Sequence, residues 1–386
     1  VVANAMRVRR WAMFALAAKR AGAPAPSIVG VADVPAAIWR IVLPAECAAL
    51  PVLRALPERG TLDPAVHAAA FELSLPEVQR CMTAGAQLRE IDALCAQHGL
   101  RPVVLKGGMN IARGREIDLG DLDIFLPPGE ATRFAELVDS GHYQRAPFLD
   151  GPKHLARRLA SQRLPLEIHH TLRVVADRPE DVFAATVLIP GFETLRALAP
   201  ADHAWHVLHH CVEAHPRRQG MLRDVLALGV ALDLCDGDDM RALQARIDAH
   251  QRRDRMMDML RIAVEVRAGQ VTDGPSHRPF DHLAAARYAL ADRKFERWLR
   301  IGPAVYNAAF TTLDPDTRLV DIARLLWPAG RVTRWYAPSQ NALLKAATLT
   351  AGKISKVVYR ACAVSIGASI AAVVSRSIRR AALQSP

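Results

Sequence analysis

The chain has 386 residues, 51% of them apolar, enough to bury a sizeable core in two or three modules. Pro and Gly, 25 and 22 residues, fall well below disordered or collagen-like compositions. Six cysteines (47, 81, 95, 211, 235 and 362) form no CxxC pair, which argues against a disulfide framework or a zinc module and suits a reducing cytoplasm. The net charge of +11 sits at the ends: residues 1–20 carry five basic groups and no acid, residues 322–386 carry ten and no acid, and the middle is mildly acidic. A basic stripe on a folded reading surface, the usual footprint of nucleic-acid binding, is therefore not indicated, and nucleic acid is not expected as a main partner.

In chain order, Trp11–Ala18 is an apolar run cut off by Lys19 and Arg20, too short for a secretory h-region. Residues 32–98 read as helices, with apolar segments at 35–42, 45–50 and 66–71 separated by prolines. A longer helix spans 76–98, with Gly99 as its C-cap. The pattern then changes. Residues 102–105 are a short β-branched run entering a turn at Lys106-Gly107-Gly108, and 121–126 alternate as a second strand. A helix is expected over 129–140, strands at 143–148 and 165–172, and a helix over 154–162. Helix returns at 200–213, 221–234, 240–250, 255–266, 282–298 and 317–327. These elements predict an α+β fold, a small mixed sheet flanked by helical regions. The expected division is a helical N-terminal region (1–98), an α/β core (99–195), a helical C-terminal domain (196–320) and a basic helical tail (321–386).

The chemistry concentrates in the core. Lys106-Gly107-Gly108 is followed, after 12 residues, by Asp121-Leu122-Asp123, and much later by Glu167. Carboxylates at i and i+2 of a strand share a face. Two such acids repel unless a hard divalent cation lies between them, and a third acid from a neighbouring strand completes the cage. Asp121, Asp123 and Glu167 are accordingly the candidate metal ligands and catalytic acids. Gly107 and Gly108 let backbone approach a polyphosphate.

The run VVLKGG…GDLDIFL…LEIHH resembles the bacterial uncharacterised nucleotidyltransferase family of the polymerase-β-like nucleotidyltransferase superfamily, over roughly residues 75–235. The resemblance implies a nucleotidyltransferase core in which Asp121 and Asp123 bind metal, Glu167 stands in for a third acid more often Asp, and Lys106 contacts the triphosphate. Ile117 stands where the family usually has an arginine, with Arg113 and Arg115 nearby, Asp118 is an extra carboxylate, and His170 replaces an aromatic. Arg115 joins Lys106, Gly107, Gly108 and His169 as expected nucleotide contacts.

Histidines 203, 206, 209, 210 and 215 form a second group, in which 203, 206 and 210 share one helix face. They read as ordinary helix positions, as pocket lining or, least well, as a zinc site. His169, on the face of Glu167, can position an acceptor hydroxyl or take its proton. Asp224 reads as an ion-pair partner of its neighbour Arg223.

The expected activity is transfer of an NMP group from an NTP such as ATP, with Mg²⁺ or Mn²⁺, to a hydroxyl or similar group on a small molecule, peptide or protein. The alternative is a catalytically degenerate nucleotide-sensing or partner-binding protein, in which Lys106 pairs with Asp121 or Asp123 across a metal-free site. Uncharged residues 361–375 are too few to span a bilayer. They read as a packed helix or, with Lys353, Lys356, Arg360, Arg376, Arg379 and Arg380, as a peripheral membrane contact of a cytoplasmic protein.

Overall fold

The computed structural model describes residues 1–24, 26–27, 30–57, 62–141, 143–145, 155, 158–214, 219–271, 277–291, 364–365, 367–372 and 375–376. Expected features at 317–327 and at His215 lie outside the described residues. So do Lys353, Lys356, Arg360, Arg379 and Arg380.

The sheet has seven short strands: β1 (Val103–Val104), β2 (Leu122–Phe125), β3 (Gln144–Arg145), β4 (Arg158–Leu159), β5 (Leu166–His169), β6 (Val187–Leu188) and β7 (Arg196–Ala197). Their order is β3-β4-β5-β2-β1-β7-β6, with β2/β5 and β1/β7 parallel and the remaining pairs antiparallel. The mixed sheet agrees with the α+β expectation. Residues 154–162, expected to be helical, instead contain β4, which pairs with β3 and β5. Pairing on both sides overrides a weak helical pattern there.

The two central strands set the register. Leu122 lies opposite Leu166, Asp123 opposite Glu167, Ile124 opposite Ile168 and Phe125 opposite His169. Alternation sends Leu122, Ile124, Leu166 and Ile168 into one buried cluster. Their neighbours face the other way, where Phe125 joins Val103, Leu105 and Leu198 in a smaller cluster.

The longest helix, α4 (Pro64–His98), follows α1 (Val2–Arg20), α2 (Ala36–Glu46) and α3 (Ala49–Ala55). Asp63 caps its start through the Ala65 amide, and Gly99 ends it at φ 64°, as expected of a C-cap glycine. It runs unbroken through Pro76, where separate segments were expected. Pro76 and Glu72 are both exposed, so the carbonyl that loses its amide partner faces water. At 35 residues, about 50 Å at 1.5 Å per residue, α4 bridges two cores. Val66 and Ala70 enter the helical one, and Leu88, Ile91 and Cys95 lie under the sheet.

The helical core gathers both ends of the chain. It joins α1, α2 and α3 to α8 (Pro200–His209), α9 (Leu222–Leu232), α10 (Gly237–Asp248), α11 (Arg253–Ala268) and α12 (Arg278–Ala291), the last of which follows the short helices α5 (Lys106–Ala112), α6 (Pro128–Asp139) and α7 (Pro179–Ala184) in the numbering. The run Trp11–Ala17 is packed inside α1. Three of the five basic groups of the N-terminus pair within the chain: Arg7 with Asp33, Arg9 with Glu46 and Arg20 with Asp233. Ile370 and Ala371 are buried in the same core, in line with the packed-helix reading of that stretch. No helix among the described residues is long and apolar enough to cross a membrane, and the described cysteines are free thiols.

Candidate active site

The site forms on the face of β2 and β5 turned away from the larger sheet core. Chain direction does the first part of the work. β1 ends at Val104, and the amide of the following Leu105 donates to the Asp123 carbonyl at 3.0 Å, so the next residue, Lys106, emerges beside Asp123. Lys106 starts α5 at φ 48°, a left-handed conformation that costs a non-glycine residue roughly 1–3 kcal/mol. Its ammonium is held 3.0 Å from Asp123 Oδ1.

Asp123 is 4% exposed, and the same Oδ1 lies 2.8 Å from His169 Nε2. Burial alone would push this carboxyl up. The Lys106 ammonium and the His169 ring reverse that and hold it well below the ordinary carboxylate range. Glu167, in register with Asp123, is half-buried, and one of its oxygens is 3.9 Å from His169 Nε2. One ligand atom each from Asp123, Glu167 and His169 lies within 4.8 Å of the others, a spacing that a divalent cation can bridge.

The trio differs from the one expected. Asp121 is outside it, because β2 begins at Leu122 and the period-two rule that would align Asp121 with Asp123 applies only inside the strand. Asp121 sits half-buried in the bend just before it. His169 takes the third position, two residues along β5 from Glu167. The strand period could have shown it as a ligand, since it places 167 and 169 on one face.

Residues 50–267, more than half the chain, match the family described as uncharacterised nucleotidyltransferase. The chain belongs to that family. No curated protein and no solved structure gives a significant match.

In this nucleotidyltransferase the other expected residues are placed unevenly around the trio. A Cβ at Gly108 would lie 2.9 Å from Val104 Cγ1 and 3.2 Å from Leu122 Cδ2, so close packing of α5 on the strands requires this glycine. A Cβ at Gly107 would meet Leu119 Cβ at 3.1 Å. Arg115 lies beyond the far end of α5, beside a cavity whose lining includes no member of the trio.

Among the histidines, His206 is 5% exposed and faces the site. Burial, followed by the charges of Lys106, His210 and His169, pushes its ring well below the ordinary range, with Asp123 opposing. Its Nδ1 is buried without a partner. His203, one turn earlier, is fully buried and pushed down to about 3 by burial and by Arg113. His209 packs edge-on against Trp205 and His250. Among the described residues no α8 histidine joins a cluster of three ligand atoms. Asp224 pairs with Arg223 at 2.8 Å, and Asp118 with Arg80 at 2.7 Å.

Proposed function

We propose that this nucleotidyltransferase transfers an NMP group from an NTP to a hydroxyl or similar acceptor on a small molecule, peptide or protein. The observation that carries the reading is the convergence of Asp123, Glu167 and His169 from two adjacent parallel strands. Their oxygens and imidazole nitrogen suit a divalent cation, Mg²⁺ or Mn²⁺. When bound, such a cation neutralises charge on the triphosphate and orients it for in-line displacement. The acceptor oxygen forms a bond to the α-phosphorus, the α–β phosphoanhydride bond breaks, and pyrophosphate leaves.

The chain's own groups divide this work. Asp123 and Glu167 supply the negative charge of the cage, with Asp121 at its outer edge. Lys106, at the start of α5, is placed to meet triphosphate oxygens once Asp123 turns to a cation. His206, kept neutral by burial, has an imidazole free to hydrogen-bond the acceptor hydroxyl, and Glu167 can receive its proton. In this proposal the 99–195 core binds the nucleotide, and α8 of the following helical unit forms the acceptor side.

A second reading has one specific observation behind it. Lys106 already neutralises Asp123, as in a nucleotide-sensing relative that has lost catalysis. Pyrophosphate release from Mg²⁺– or Mn²⁺–NTP in the presence of native extract separates the two. Turnover that vanishes in Asp123→Ala supports transfer. NTP binding without turnover supports sensing, and full turnover in Asp123→Ala rejects the metal assignment.

A further inference from the structure

At the end of α5 opposite Lys106, the fold forms a half-open pocket of about 380 Å³. Ala112, Pro190, Val230 and Leu234 form an apolar wall, and Arg113, Arg115 and Asp233 supply the polar groups. It lies between the C-terminal ends of α5 and α9 and the turn after β6. None of its lining residues belongs to the Asp123–Glu167–His169 trio or is Lys106.

The charge in this cavity is unbalanced. Arg113 is half-buried, its Nε is buried with no partner, and burial with no opposing acid lowers its pKa. A guanidinium stays protonated at any ordinary pH, so the cost of desolvating it falls on the fold unless an anion offsets it. Arg115 is exposed and, among the described residues, is paired with no carboxylate. The acid in the wall, Asp233, already holds two other arginines. Its Oδ2 takes Arg20 at 2.5 Å and its Oδ1 takes Arg267 at 2.9 Å. The cavity therefore presents two arginines that have no carboxylate partner among the described residues, beside an acid held by two others. Its remaining wall is apolar. A few charged groups on a mostly apolar concave surface are the usual composition of a small-molecule site.

We propose that this cavity is a second ligand site, which takes a small organic anion. Its carboxylate or phosphate head lies on Arg113 and Arg115, and its apolar body packs against Pro190, Val230 and Leu234. Guanidinium groups suit either head, because their fork of N–H donors matches two oxygens. The site does not depend on nucleotidyl transfer, so a chain that proved catalytically inert would still bind such an anion.

Calorimetric titration of the full-length protein with phenyl phosphate, phenylacetate, inorganic phosphate and benzyl alcohol tests this. One equivalent of phenyl phosphate or phenylacetate should bind, whichever is tighter identifying the head group. Benzyl alcohol and inorganic phosphate should bind at least about tenfold more weakly, each lacking one half of the recognition. Arg113→Gln and Arg115→Gln should each weaken the aromatic anion about tenfold, while Asp123→Asn leaves it unchanged. Val230→Trp, which fills the apolar side and keeps both arginines, should abolish binding even if an arginine variant folds poorly. Affinity unchanged in Arg113→Gln or Val230→Trp, binding lost in Asp123→Asn, or benzyl alcohol binding as well as the anions would overturn the assignment.

Discussion

Lys106 Nζ stands 3.0 Å from Asp123 Oδ1, across the junction of β1 and β2, and both side chains are largely buried. The pair holds an ionised carboxylate in a place that would otherwise protonate it. Because Asp123's pKa is lower folded than unfolded, it contributes stability that is present above the ordinary aspartate range and is lost as pH falls. Lys106→Met removes the ammonium and raises that pKa, so its acid-unfolding limb should move to higher pH. The loss at neutral pH should be about 1.5–3 kcal/mol, the range for hydrogen bonds to charged groups. Circular dichroism against pH measures both, and an unmoved acid limb would mean that Lys106 does not stabilise the charged form.

The donor set also predicts metal preference. Two carboxylates alone suit Mg²⁺, but an imidazole in the third position favours a softer ion, and Mg²⁺ seldom takes nitrogen. Calorimetry should find Mn²⁺ binding at least about tenfold tighter than Mg²⁺, with His169→Ala abolishing most of the difference. Equal affinities in the native protein would remove His169 from the ligand set.

The sequence displayed the strand-turn-strand core and its acids, because short β-branched runs, paired glycines and alternating acids are local signals. It showed less of what depends on where a strand begins. Asp121 and Asp123 look equivalent in sequence, yet β2 starts between them and only Asp123 enters the trio. The period of β5 puts His169 on the face of Glu167, but that this face lies beside Asp123 follows from the β2/β5 register, which no local pattern states. The long passage of α4 through Pro76, and the joining of both chain ends in one helical core, are tertiary outcomes of the same kind. A pair of variants tests the distinction. Asp123→Asn should abolish Mn²⁺ binding in calorimetry, whereas Asp121→Asn should leave measurable binding, weakened by about 10–100-fold at most, as expected of a group outside the ligand shell. The reverse ranking would restore the sequence-based pair.

Gly107 and Gly108 also separate once placed. An added methyl at Gly108 would strike Val104 and Leu122, two fixed core side chains, and should cost about 1–3 kcal/mol in a denaturant melt, the usual range for overpacking. At Gly107 the neighbour is Leu119 alone, next to the bend before β2, so Gly107→Ala should destabilise less. If Gly107 admits triphosphate oxygens, Gly107→Ala should nonetheless weaken NTP binding. Unchanged NTP affinity in Gly107→Ala would make both glycines packing residues.

Far from the site, one carboxylate ties four helices together. Glu46, at the end of α2, is fully buried. Its Oε1 accepts from Arg287 at 2.9 Å and Tyr288 at 2.6 Å, and its Oε2 accepts from the Leu222 amide at 2.8 Å and Arg9 at 3.4 Å. Helices α1, α2, α9 and α12 thus meet on one side chain. Burial would raise its pKa, but Arg287 and Arg9 outweigh burial and lower it, so its contribution is present above the ordinary glutamate range and fades in acid. Glu46→Gln keeps the shape and removes the charge that the buried Arg9 and Arg287 share, leaving Arg9 with Asp281 at 3.6 Å. The expected loss is about 3–5 kcal/mol at neutral pH, measured by urea unfolding, and smaller at low pH, where the native glutamate is itself protonated. Glu46→Leu with Arg9→Met and Arg287→Met should recover part of that loss, because it removes the buried charges together, although Tyr288 and the Leu222 amide lose their acceptor. A single substitution costing under about 0.5 kcal/mol would instead place these arginines in contact with water in solution.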